Sequence, residues 1–139
     1  MYIESNSRAP GSNAILAFSY KHGSLSARHV RRFATGGSGS HDLTNSGVLD
    51  ADQELITNPR HTLLFAVNSS SDTIAVFHIQ PGGRLSPVAG SPFPSNGKAP
   101  SSVGLAGNTL IVANKAQDGV RNLRSAPANY TSFHVRPDG

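Results

Sequence analysis

The feature that most constrains the fold is a phrase of strand, polar turn and strand that occurs three times along the chain. It reads LLFAVNSSSDTIAVF at 63–77, and related phrases occupy 1–18 and 109–133. Self-similarity of this kind indicates a repeat architecture, in which one supersecondary unit buries its apolar faces against copies of itself. The chain of 139 residues is therefore expected to hold a series of similar units rather than one conventional core.

Particular residues recur at matched places in these units. When the sequence is aligned with itself at a fixed offset, Gly23 matches Gly83. Other pairs match at different offsets, which indicates that the loops between the strands differ in length. Asparagine ends the first strand of each phrase, where its side chain is expected to satisfy backbone groups at the turn. The predicted structural repeat positions are Asn6, Asn68, Asn114, Phe18, Phe77, Phe133, Gly23 and Gly83.

Alternating and continuous apolar runs predict ten strands, which glycine, proline and short polar residues separate. The middle unit contains four of them, and each of the two outer units contains three. The runs LLFAV and TLIVA are almost wholly apolar, as expected of strands buried on both faces. The predicted strands are 1–6, 13–20, 26–34, 54–58, 62–68, 72–79, 85–91, 101–106, 109–114 and 129–135.

Units of four short antiparallel strands are typical of β-propeller blades. We therefore predict an all-β fold, namely a β-propeller segment of four-stranded antiparallel blades over residues 1–139. Its parts are a blade segment at 1–36, a blade at 50–97 and a blade segment at 98–139. Propellers close with about four to eight blades, so ten strands leave the ring incomplete. The missing blades would come from a longer parent chain, or the open edges would self-associate.

Composition restricts the classes of function. The chain contains no cysteine, and its six histidines lack the spacing of metal ligands, so we expect neither a disulfide nor a metal. The net charge of +4 is concentrated only at 28–32, which we interpret as a solvated strand and not a nucleic-acid surface. No apolar run is long enough to span a membrane and the N-terminus lacks signal-peptide features, so we expect no membrane partner and favour the cytoplasm.

Four segments resemble the lactonase-type seven-bladed propellers, a family of 6-phosphogluconolactonase-like and carboxymuconate-cyclase-like proteins. The segments are 1–25, 32–41, 58–88 and 97–114. Their most telling pattern is Asn, then Thr-Ile-x-x-Phe, then Gly-x-Leu, which is complete at 68–85. The resemblance implies about two and a half of the seven blades. It also implies no cofactor, and a parent protein that hydrolyses a sugar lactone such as 6-phosphogluconolactone.

Lactone hydrolysis needs a base that activates water and a cation that steadies the carbonyl oxygen. In a propeller, the link before strand 1 and the loops after strand 2 share one rim, where we expect His41, Glu54 and Lys115. His41 and Glu54 are the candidate catalytic residues, and Lys115 is the candidate binding residue. Three alternatives stay open: ordinary solvated loop charges, a non-catalytic module that binds a protein or glycan, and a truncated remnant without independent activity.

Overall fold

The computed structural model describes residues 1–40, 53–116 and 126–138. Within these ranges the chain forms antiparallel β-strands and two single-turn 3-10 helices, η1 (Ser69–Ser71) and η2 (Pro81–Gly83). The predicted all-β class is therefore confirmed. The strands are β1 (Tyr2–Glu4), β2 (Ala14–Lys21), β3 (Ser24–Ala34), β4 (Leu55–Thr57), β5 (Leu63–Asn68), β6 (Thr73–Gln80), β7 (Arg84–Pro87), β8 (Phe93–Pro94), β9 (Pro100–Ala106), β10 (Thr109–Asn114) and β11 (Asn129–His134).

In the described part of the chain these strands form three antiparallel sheets. The first sheet has the order β1-β2-β3, and the third sheet has β10 between β9 and β11. The middle sheet has the order β4-β5-β6-β7, with β8 also paired to the beginning of β6. Each of the ten predicted strands overlaps one of these elements. The short strand β8 is an addition, because its Pro-rich sequence predicts only a connection; Phe93 holds it in place by packing against an apolar cluster.

The middle sheet is covered on both faces, which explains the almost wholly apolar sequence of β5. All six residues of β5 are buried. Leu63, Phe65 and Val67 pack in a cluster with residues of the third sheet. Leu64 and Ala66 pack in a cluster that includes residues of the first sheet. Each large side chain contributes about 1.5–3 kcal/mol when it is fully buried, so β5 joins the three sheets into one stack.

The two interfaces between sheets are built in the same way. Phe77 of β6 is buried in the first interface, between the first and middle sheets. Phe133 of β11 packs against the cluster of the second interface, between the middle and third sheets. Phe33 and Phe93, which match in the sequence repeat, pack against the first and second interfaces respectively. The repeat in sequence is therefore also a repeat in packing.

The matched glycines lie in turns between strands. Gly23 precedes β3 with a φ of 79°, and Gly83 precedes β7 with a φ of 69°. Glycine adopts this left-handed region without the steric penalty that a Cβ brings. Phe18, the counterpart of Phe77 in the sequence repeat, is half-buried on β2.

The predicted set of three equivalent asparagines needs one correction. Asn68 ends β5 and Asn114 ends β10, so these two hold the same place in their sheets. In the first sheet, however, β1 ends at Glu4, and Asn6 lies beyond it with a left-handed φ of 51°. The loop after β1 therefore differs in shape from its counterparts, and asparagine suits it because its short polar side chain tolerates the left-handed conformation.

Glu4 stands where the middle sheet has an apolar residue. It lies opposite Ile15 on β2, and Val67 lies opposite Ile74 on β6. Ile15 and Ile74 match in the sequence repeat, so Glu4 and Val67 are equivalent. A buried carboxyl group costs free energy unless it is neutralised or hydrogen-bonded. The first sheet therefore buries an ionisable side chain at a position where the middle sheet buries an apolar one.

Candidate functional site

Polar side chains from the three sheets gather at one end of the stack. Glu4 is the last residue of β1, Glu54 precedes β4, and Lys115 follows β10. Because β4 and β5 are antiparallel, the start of β4 lies beside the end of β5, at Asn68. We call this group the Glu4–Glu54 site, and it comprises Glu4, Asn6, Asn13, Glu54 and Lys115.

Glu4 is the most buried ionisable residue of the site, with only 7% of its surface exposed. Its Oε1 accepts a hydrogen bond of 2.5 Å from Nδ2 of Asn13. Its Oε2 has no hydrogen-bond partner among the described residues. Burial raises the pKa of Glu4 to about 8, the hydrogen bond from Asn13 opposes this rise, and the charge of Glu54 adds to it. This raised pKa favours the neutral form of the Glu4 carboxyl at pH 7.

Glu54 is the second carboxyl of the site and is only half-buried. The side-chain amide of Asn6 donates a hydrogen bond to its Oε1. Burial raises the pKa of Glu54, whereas the hydrogen bond from Asn6 and the positive charge of Lys115 both lower it. Asn6, which does not match the other asparagines in register, thus has a role of its own at this site.

The two carboxyl groups occupy different environments although they influence each other electrostatically. Glu4 is deeply buried with a single hydrogen bond, whereas Glu54 is nearer to solvent and to the cation Lys115. Burial raises the pKa of both carboxyl groups, and the positive charge of Lys115 opposes the rise only at Glu54. A general acid and a general base are often two titratable groups whose environments give them different pKa values.

A buried hydrogen-bond network supports the site from the side of the middle sheet. Asn13 donates through Nδ2 to Oδ1 of Asn68 at 2.9 Å, in addition to its bond with Glu4. Thr35 donates through Oγ1 to the same Asn68 oxygen at 2.6 Å. Asn68 in turn donates to Oγ1 of Thr73 at 3.1 Å. These bonds fix the first sheet to the middle sheet beside Glu4, and therefore hold the carboxyl of Glu4 in one position.

Close packing of glycine completes this support. A Cβ added at Gly37 would fall well inside van der Waals contact with the side chain of Asn68. Gly97, the match of Gly37 in the sequence repeat, has the same relation to Asn114. Both positions need glycine because the loop backbone lies directly against an asparagine side chain at the end of a strand.

The structure brings together two of the three residues that the sequence identifies as candidates. Glu54 and Lys115 interact electrostatically, whereas His41 lies outside the described residues. Sequence reasoning missed Glu4 and Asn13. The signal that could have found Glu4 is the acidic residue at the end of the apolar run MYIE, at the place where the middle unit has Val67.

The described residues also bear on metal binding and on membrane spanning. In the ranges 1–40, 53–116 and 126–138, the structure contains no group of three or more acidic, histidine or cysteine side chains that could hold a metal ion. No helix within those ranges has the length and apolar character needed to cross a membrane. The basic residues at 28–32 lie on the exposed strand β3.

Comparison of the chain with protein-family profiles, with curated proteins and with solved structures finds no significant match in any of the three.

Proposed function

We propose that this chain is a segment of a lactonase-type β-propeller, and that the Glu4–Glu54 site hydrolyses a sugar lactone such as 6-phosphogluconolactone. Stacking of three antiparallel sheets through two similar interfaces supports the propeller part of the proposal. The observation that carries the catalytic part is the buried carboxyl of Glu4 near Glu54, at a position where the repeat otherwise has valine.

The proposed chemistry assigns one role to each charged group. Glu54, as the general base, takes a proton from water while the water oxygen bonds to the lactone carbonyl carbon. The ammonium group of Lys115 stabilises the negative charge that develops on the carbonyl oxygen. Glu4, as the general acid, gives its proton to the ring oxygen as the carbon–oxygen bond breaks. The product is an open-chain hydroxy acid, and the proton on Glu54 returns to solvent as Glu4 is reprotonated.

Binding without turnover is the second candidate function, and the same oxygen of Glu4 favours it. Oε2 of Glu4 is buried and has no hydrogen-bond partner among the described residues, and buried polar atoms normally have one. A hydroxyl group of a bound glycan would supply the missing partner. Catalysis and binding are therefore distinguished by measurement of turnover, not by the location of the ligand.

The test is ring opening of glucono-δ-lactone and of 6-phosphogluconolactone by the full chain, followed continuously with a pH indicator against the spontaneous rate. We expect turnover that rises as Glu54 loses its proton and falls as Glu4 loses its proton near pH 8. Glu54→Gln is expected to reduce turnover by about 100-fold or more. Glu4→Gln should lower turnover, because glutamine cannot give a proton to the ring oxygen, and the activity that remains should lack the descending limb of the pH profile.

Asp138→Asn provides the matched control, since it neutralises an exposed acid elsewhere on the chain and should leave turnover unchanged. A rate equal to spontaneous hydrolysis would refute the catalytic proposal. If gluconate then bound to the native chain but not to Glu4→Gln, the binding function would replace it.

A further inference from the structure

Asn13 is completely buried, and its side chain donates the hydrogen bond that Oε1 of Glu4 accepts. The proposed hydrolysis gives Glu4 a proton to donate, and one of its two carboxyl oxygens must hold that proton. The hydrogen bonds around Asn13 determine which oxygen this is, because they fix the orientation of the Asn13 amide.

The orientation of this amide follows from the groups that contact its oxygen. The backbone N–H of Ala14 donates to Oδ1 of Asn13 at 2.9 Å, and the hydroxyl of Ser5 donates to the same oxygen at 3.2 Å. A backbone N–H can only donate, so it must face the oxygen of the amide and not the nitrogen. Nδ2 of Asn13 therefore faces Glu4.

Both hydrogens of Nδ2 have acceptors. One is directed to Oε1 of Glu4, with 2.5 Å between nitrogen and oxygen, and the other to Oδ1 of Asn68, with 2.9 Å. The nitrogen of an amide donates and does not accept, so Glu4 cannot give a proton to it. Oε1 of Glu4 is therefore an acceptor. In the neutral carboxyl the proton lies on Oε2, which has no hydrogen-bond partner among the described residues.

The sequence repeat shows that the amide of Asn13 accompanies the carboxyl of Glu4. Thr35 donates its backbone N–H to the carbonyl of Asn13. Ser95 matches Thr35 in the repeat and makes the same bond to Asp72, so Asp72 is the counterpart of Asn13. The middle sheet, which has valine in place of Glu4, thus has an acidic residue in place of the amide.

The second interface shows that the asparagine at the end of a strand can be packed without such an amide. Oδ1 of Asn68 accepts from both Asn13 and Thr35. Oδ1 of Asn114, which is the equivalent atom in the third sheet, is buried and has no partner among the described residues. The bond to Asn68 is therefore not a general requirement of the stack, and the feature that distinguishes the surroundings of Asn13 is the carboxyl of Glu4.

We propose that Asn13 is a positioning residue for Glu4: its amide occupies Oε1, so that Oε2 holds the proton of the neutral carboxyl and is the atom that gives it away. The identity of the recipient, the ring oxygen of a lactone, rests on the proposed function. Burial raises the pKa of Glu4, the bond from Asn13 lowers it, and the charge of Glu54 raises it. Asn13 therefore also lowers the pH at which Glu4 ceases to be a donor.

The test uses NMR, because Glu4 and Glu54 are the only glutamates of the chain. Labelling of glutamate with carbon-13 at Cδ therefore gives two carboxyl signals in the full chain, and Glu4→Gln identifies one of them by its loss. In a titration of the native chain, we expect the side-chain amide protons of Asn13 to shift with the same midpoint as Cδ of Glu4, because they donate to the group that ionises.

Asn13→Leu and Thr35→Val form a matched pair of variants. Both remove a hydrogen bond to Oδ1 of Asn68, and only Asn13→Leu removes the bond to Glu4. We expect Asn13→Leu to raise the midpoint of Glu4 by about one pH unit or more. Thr35→Val should move this midpoint by less than about 0.3. In lactone hydrolysis, the descending limb of the pH profile should move with the midpoint of Glu4.

Equal midpoints of Glu4 in the two variants would overturn the proposal, because Asn13 would then act through packing alone. Amide protons of Asn13 that do not respond to the titration of Glu4 would also overturn it, and this result comes from the native chain even if Asn13→Leu fails to fold. The NMR measurements do not use turnover. Absence of lactone hydrolysis together with the expected titration would refute only the catalytic function, whereas hydrolysis with an unresponsive Asn13 would refute only the role of Asn13.

Discussion

Replacement of Glu4 by glutamine tests the central electrostatic feature of the site. Glutamine has nearly the shape of the protonated carboxyl and cannot ionise. The carbonyl oxygen of glutamine can accept the hydrogen bond that Asn13 donates to Oε1. The substitution therefore removes the titration of Glu4 while it retains the packing.

The magnitude follows from the pKa of Glu4, which is 4.5 for an unperturbed glutamate and about 8 in the folded chain. Between these values the folded state binds a proton that the unfolded state does not bind, so stability decreases as pH rises. The contribution of Glu4 is fully present below pH 4.5 and is lost by about pH 8. The slope is about 1.4 kcal/mol per pH unit, which amounts to about 4 kcal/mol between pH 5 and pH 8.

The assay is urea denaturation followed by far-UV circular dichroism, since the chain has no tryptophan. The native chain and Glu4→Gln are compared at pH 5.0, 6.5 and 8.5, and the free energies of unfolding are subtracted at each pH. Subtraction cancels the titration of groups that the substitution leaves unchanged. We expect the advantage of Glu4→Gln to grow by about 4 kcal/mol from pH 5.0 to pH 8.5, a large part of the stability of a small domain.

A constant difference between the two proteins across this pH range would refute the reasoning. It would mean that Glu4 titrates alike in the folded and unfolded chains and is not a neutral acid at pH 7. The role of Glu4 as a proton donor would then be lost as well.

Two further comparisons test the support of the site. Asn68→Ala removes the buried acceptor that Asn13 and Thr35 share and should cost about 2–4 kcal/mol of unfolding free energy. Asn114→Ala should cost about 1 kcal/mol, because Oδ1 of Asn114 has no partner among the described residues; equal urea midpoints would contradict this. Gly37→Ala should lower stability by about 2 kcal/mol or more, since its Cβ would overlap Asn68. Gly104→Ala, with nothing within 4 Å, should change it by less than about 0.5 kcal/mol, and similar losses in both variants would count against the packing argument.

The strands were predictable because their signals are local. Apolar runs such as LLFAV and turn residues such as those at 81–83 specify strands and turns without knowledge of the rest of the chain. Strand β8 was not predictable, because its two residues pair with β6 and Phe93 packs against an apolar cluster, and neither contact is local in sequence. The predicted equivalence of Asn6 with Asn68 and Asn114 was wrong for a related reason. The position of a residue relative to the strand end depends on the shape of the loop, which the spacing of residues in the sequence does not specify.

The candidate site was predictable in part. Glu54 and Lys115 flank strands whose ends share one edge of the stack, and topology alone places them together. The role of Glu4 depends on its depth of burial and on the absence of a second hydrogen-bond partner among the described residues, which are tertiary properties. The contact of Gly37 with Asn68 joins residues far apart in sequence and has no local signature.

The two-sided burial of β5 has a consequence for synthesis of the chain in the cell. When β5 leaves the ribosome, the first sheet is available to cover Leu64, but the strands that cover Phe65 and Val67 have not yet been made. Chaperones would therefore recognise this nascent surface until β9 and β10 emerge, and slow translation between Asn68 and Asn114 would lower the yield of native protein through aggregation.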